Sequence, residues 1–272
     1  MYSTIALAKN TKLTGKLVGT HQKIDKIAHS LLLKNVPKNT FFPTKKEVLH
    51  FEGIRGPDGL KRKSPGEDEP SHLYVKGDDE DSLIETMLGH RFNLNRALKN
   101  GDSTRAAFDA AWLAHYVADG LTPAHHIPLH DIANELMSDK EFFKIFGEPV
   151  KGIMRGDTTF ETLKNNWKYW GVDGHMSRHL AFEFGIAIVA MRSTNKELTP
   201  KIKRSELKNV DLEKEFRAAA DRIYDLNLYQ RFADYGWTPS VAKDIKKKLL
   251  PEAIRLTVLA WASALPKEEK CK

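Results

Sequence analysis

The sequence predicts an all-α fold, one multi-helix domain spanning residues 1–272. Three observations predict it. Apolar residues recur at helical spacing along most of the chain. No strand-like alternation of any length occurs. Periodic runs open on capping residues and close on Gly or Pro. The first run, HQKIDKIAHSLLLK, places Ile24, Ile27, Ala28 and Leu31 at i, i+3, i+4 and i+7. Residues 37–80 break the pattern with Pro37, Pro43, Pro57, Pro65 and Pro70, and predict a long irregular loop. A loop of that length in a compact domain is functional or disordered. Helical patterning resumes in DSLIETMLGHRFNLNRALKN. It continues in DSTRAAFDAAWLAHYVAD, capped by Asp102 and Ser103 and stopped by Gly120 and Pro123. A shorter helix is expected near 128–139. GHMSRHLAFEFGIAIVAMRS makes another, and DLEKEFRAAADRIYDLNLYQRF reads as one more. TPSVAKDIKKKLLPEAIRLTVLAWASAL closes the chain, with Thr238 as cap and Pro239 in its first turn. Pro251 is expected to kink or restart that helix.

Composition narrows the classes. A hydrophobic share of 41% with 29% charged residues fits a folded globular chain rather than a disordered one. The formal net charge of +7 suits an anionic partner: a phosphodiester, an acidic lipid surface or nucleic acid. Taken singly, the runs KRK, KIKR and KKK read equally well as solvated surface. Cys271 is the single cysteine, so the chain builds neither an internal disulfide nor a thiolate zinc site. Any metal site must use His, Asp and Glu. No apolar run reaches the roughly 20 residues of a membrane span. The N-terminal patch IALA is too short for a secretory signal, so the expectation is a cytoplasmic chain or a processed secreted form.

Candidate chemistry centres on AWLAHYVADGLTPAHHIPLH. His115 and Asp119 lie four apart on one helix face, and that face also carries Trp112 and Phe108. The pair therefore points inward, where a carboxylate and an imidazole are costly unless paired or bound to metal. A plain His–Asp hydrogen bond in the core is the simpler account when the pair is taken alone. His125 follows on the turn held by Pro123. A second inward pair, His179 and Glu183, repeats the spacing on another helix, with Ile186 and Ala190 continuing its stripe. Two such pairs on separate helices favour a multinuclear metal centre, because helical bundles build such sites from facing helices. Imidazole with carboxylate suits zinc, iron or manganese. Asp58 and His72 lie fourteen apart in the irregular loop, and anchoring to metal would explain why that loop is kept. His21 faces the core with Ile24 and Ala28, where a satisfied core histidine is the simpler account. His126 and His175 stand close to these residues, and His175 shares the His179 face. Trp167, Tyr169 and Trp170 read as core more readily than as the wall of a pocket.

These residues resemble the zinc-dependent phospholipase C and fungal single-strand nuclease superfamily. The shared pattern is His-x3-Asp-x5-His with a Pro two before the last His, here His115, Asp119, His125 and Pro123. A downstream His-x3-Glu is His179 and Glu183, the form of the phospholipase branch. Upstream, Asp58 is followed fourteen residues later by His72 in SHLY, and His21 opens a helix near the N-terminus. The likeness covers residues 20–190.

The resemblance implies a zinc cluster: one ion on Asp58, His72, His115 and Asp119, a second on His125, His179 and Glu183. A third would use His21 and the far oxygen of Asp119, completed by an N-terminal tryptophan. This chain departs there, since it starts with Met1 and its first tryptophan is Trp112. Asp119 is then expected to bridge two metals, and Asp58 to serve as general base as well as ligand. The implied activity is zinc-dependent phosphoric ester hydrolysis on a phospholipid or another anionic phosphodiester. The alternatives are a nuclease or nucleotidase of the same architecture, and a non-catalytic zinc-stabilised helical binding domain.

Overall fold

The computed structural model describes residues 19–52, 56–57, 74–77, 80–127, 132, 135–136 and 154–266. Among them every regular element is helical, so the all-α expectation holds. The expected helix near 128–139 lies almost wholly outside the described residues.

The elements are α1 (Thr20–Asn35), α2 (Lys45–His50), α3 (Asp81–Lys99), α4 (Ser103–Gly120), α5 (Thr159–Trp170), α6 (His175–Arg192), α7 (Asn195–Leu198), α8 (Leu212–Tyr224), α9 (Leu228–Tyr235), α10 (Pro239–Asp244) and α11 (Leu250–Ala264). Local chemistry sets their starts. Asp102 accepts from Arg105 N–H at 2.9 Å and Thr238 from Val241 N–H at 3.2 Å, which satisfies donors that a helix start leaves open. Thr44 with Glu47 and Thr158 with Glu161 form reciprocal capping boxes at α2 and α5.

α4 is the central helix. From Asp109 to Gly120 every residue is buried, so its neighbours must surround it. α3, α11, α2 and α1 pack against it. α11 is buried along most of its length, and Trp261 Nε1–H donates to the Ala110 carbonyl of α4 at 2.8 Å. That bond satisfies the one polar atom of an otherwise apolar wedge. Pro251 has the expected effect. It has no N–H to continue the ladder, and a π-helical turn, Ile245–Leu249, precedes α11.

The run expected as one helix over 211–232 is two. α8 ends at Tyr224 and α9 begins at Leu228, because Asn227 takes a left-handed backbone, φ 49°. Asn tolerates that conformation better than most residues, so it breaks the helix without a Gly or Pro to announce the break.

Two cross-links hold the site helices together. Lys23 Nζ of α1 donates to the Ala190 carbonyl near the C-terminus of α6 at 2.6 Å, where the helix dipole favours a cation. Tyr74 N–H donates to the His125 carbonyl at 3.0 Å, and its hydroxyl to Glu80 at 3.0 Å. The end of the irregular segment is thereby tied to the turn that carries His125.

Candidate metal centre

Four histidines and four carboxylates meet inside the bundle. His21 and Asp25 come from α1, Glu52 from the bend after α2, His115 and Asp119 from α4. His125 comes from the 3₁₀ turn Pro123–His126, and His179 and Glu183 from α6. All eight are at most 8% exposed. The helical spacing does the placing: each His-x3-acid pair puts its two side chains one turn apart on one face.

Two groups result. His21, Glu52 and His115 form one, and His125, His179 and Glu183 the other; in each group the potential ligand atoms lie within 4.8 Å of one another. The first has the His21 and His115 rings stacked at 4.0 Å and 10°, with His115 Nδ1 3.2 Å from Glu52 Oε1. The second has His125 and His179 stacked at 5.1 Å and 9°. His125 Nε2 is 2.8 Å and His179 Nε2 3.5 Å from the same Glu183 oxygen. Asp119 stands between the groups. Its Oδ1 is 3.2 Å from His21 Nε2, and its Oδ2 is 3.1 Å from His115 Nε2 and 3.8 Å from His125 Nδ1.

Burial and neighbouring charges shift several of these side chains. Burial works against the charge on Asp119, yet the surrounding positive fields, those of His115, His125 and His21 among them, hold its carboxyl well below the usual range. Glu183 behaves likewise: burial opposes its charge, and contacts from His125 and His179 contribute to holding it well below. His125 is pushed down to about 4, chiefly by desolvation, so it is neutral at pH 7. Burial raises Asp25 well above its ordinary value, and the facing Glu52 adds to that. Among the described residues, imidazoles are seen to touch Asp119 and Glu183. The N and O donors gathered here suit zinc, iron or manganese. The residues present fit such ions. His179 Nδ1 and Asp25 Oδ2 are, moreover, buried without a hydrogen-bond partner.

Six of the eight residues expected from the sequence are brought together: His21, His115, Asp119, His125, His179 and Glu183. Asp58 and His72 lie outside the described residues. Two carboxylates were not anticipated. Asp25 had a readable signal, because HQKID repeats the His-x3-acid spacing of the other two pairs. Glu52 had none, since it sits on a bend with no periodic partner. Among the described residues, the remaining histidines have structural roles or face outward. His126 Nε2 contacts the Gly120 carbonyl at 2.9 Å, His29 Nε2 the Pro43 carbonyl at 2.8 Å, and His90 Nδ1 the Asp109 carboxylate at 2.9 Å. His175 is exposed, so it does not replace His179. Trp167 and Trp170 are exposed rather than core, and only Tyr169 of the three aromatics is buried.

No family model, no curated protein and no solved structure matches the chain. What the fold and site define is a class: an all-α bundle with two buried His/Glu groups able to hold metal ions.

Proposed function

We propose that the protein is a zinc-dependent phosphodiesterase of the phospholipase C kind, hydrolysing a phosphate ester. One observation carries the reading: Asp119 reaches His21 and His115 of one group and faces His125 of the other. A lone carboxylate between two buried donor groups suits adjacent cations, the arrangement used in phosphoryl hydrolysis.

Bound there, such ions would polarise the phosphoryl oxygens and acidify a nearby water. The chain's own residues supply the rest. His21, His115, His125 and His179 present ring nitrogens, and Glu52, Asp119 and Glu183 would offset the cationic charge. Their nearly complete burial excludes bulk water, so charges at the site act strongly on a bound ester. Asp25 backs the first group through Glu52. Asp58 remains the candidate general base. Glu183 in the downstream pair favours a phospholipid as substrate, while the net charge of +7 suits any phosphodiester.

The test is elemental analysis of the purified protein, followed by assays on phosphatidylcholine and single-stranded DNA. Bound zinc with release of phosphocholine supports the proposal. Cleavage of DNA alone transfers the activity to a nuclease. Bound zinc with both substrates intact leaves a zinc-stabilised binding domain.

A further inference from the structure

The packed pair α5 and α6 carries apolar surface that is left exposed. On α5, Phe160, Leu163 and Trp167 fall at i, i+3 and i+7 and are 75%, 68% and 69% exposed, whereas Tyr169 is the single buried residue of that helix. An amphipathic helix normally turns this stripe to the core. Here it faces outward. α5 packs on α6, which is apolar on both sides. The inner side of α6 carries His179 and Glu183. Its outer side leaves Leu180 and Met191 about half exposed and lines a cleft of about 800 Å³ with Ile188, Trp237 and Ala242. Gly185 shapes this cleft, because a Cβ there would lie 1.7 Å from the Trp237 indole.

The rim of the cleft is cationic. Arg192, Lys243, Lys246 and Lys247 line it without any acidic residue. Lys246 is engaged by Glu197 at 2.6 Å. No ion pair is seen for the other three among the described residues. Lys164 and Lys168 flank the α5 stripe.

We propose that the outer face of α5 and α6, with the cleft and its cationic rim, docks on a bilayer surface containing anionic lipid. Exposed tryptophan and aliphatic side chains beside lysines are the makeup of an interfacial helix. The charge selects the occupant. A second copy of the chain would set these cations against themselves, while acidic headgroups complement them. A single soluble amphiphile would fill the cleft but leave the α5 stripe uncovered. No described helix is long and apolar enough to cross a membrane, so the contact is with the surface. The proposal does not depend on the metal reading, since none of its residues belongs to the metal centre.

The experiment is flotation of the full chain with phosphatidylcholine vesicles, with and without phosphatidylglycerol, at low and high salt. The wild type should float with the mixed vesicles and be released by salt. The double variant Leu163→Ser/Trp167→Ser changes only exposed side chains, and should bind about tenfold more weakly with unchanged melting and metal content. The variant Lys243→Glu/Lys247→Glu should lose the preference for phosphatidylglycerol. Failure of the wild type to float, or equal flotation of the serine variant, overturns the proposal. So does a wild-type dimer in sedimentation that the serine variant dissociates, which would make the face a self-association surface. Loss of metal or of phosphodiesterase activity in the wild type would bear on the function alone.

Discussion

His125 gives the sharpest electrostatic prediction. It is 7% exposed, and desolvation is the largest reason its imidazole titrates at about 4 instead of 6.5. A histidine held neutral by the fold stabilises the folded state fully above its unfolded value of about 6.5. That contribution falls as pH drops and is gone once pH passes the folded value. At about 1.36 kcal/mol for each pH unit between the two values, the loss from pH 7 to pH 4 is about 3 kcal/mol. Asp25 acts in the opposite sense, because its raised carboxyl favours the folded state at low pH. A comparison with His125→Asn removes that complication, since both proteins keep Asp25. Asp119 and Glu183 titrate well below their usual range, so their own losses fall at the acid end. The assay is urea unfolding of chelator-treated wild type and His125→Asn at intervals between pH 7 and pH 4. The wild type should lose about 3 kcal/mol more than the variant across that range. Parallel pH curves for the two proteins would refute the claim that burial holds His125 neutral.

Glu52→Gln should weaken metal binding at the His21/His115 group and leave one ion on His125, His179 and Glu183; equal loss from both groups in elemental analysis would remove Glu52 from the first. Asp119→Asn should lower occupancy of both groups and abolish phosphodiester hydrolysis, and unchanged zinc content would sink its bridging position. Gly120→Ala would set a Cβ 2.5 Å from Leu83 Cδ2 and 2.6 Å from Phe216 Cζ, both in the core. Overpacking of this kind costs about 1–3 kcal/mol, and calorimetry should show a melting point lower by about 2–4 °C for each kcal/mol. An unchanged melting point would mean the packing of α4 against α3 and α8 is looser than it stands here.

Much of this was legible in the chain because one device repeats. An imidazole and an acid at i and i+4 on an apolar helical stripe must both point into the core, whatever the loops do. That reasoning reached His115, Asp119, His179 and Glu183 directly. His21 and His125 came with the resemblance and with the Pro123 turn. Asp25 carried the same spacing and was passed over, because His21 alone looked like a core histidine. Glu52 was invisible, since a residue on a bend is placed by tertiary packing and not by period. The break at Asn227 failed for a related reason: a left-handed Asn costs little, so an unbroken amphipathic pattern ran across it. The exposed stripe of α5 inverted the ordinary rule. Periodicity shows that a helix has an apolar face, but not what that face meets.

The central claim is that the buried histidines and carboxylates hold metal, and the most direct measurement is metal content per chain. Inductively coupled plasma mass spectrometry of protein purified without chelator should find two or more zinc ions per chain. Glu183→Gln should lose one of them while remaining folded. Less than one metal ion per chain in folded wild-type protein, unchanged after incubation with zinc, would contradict the account.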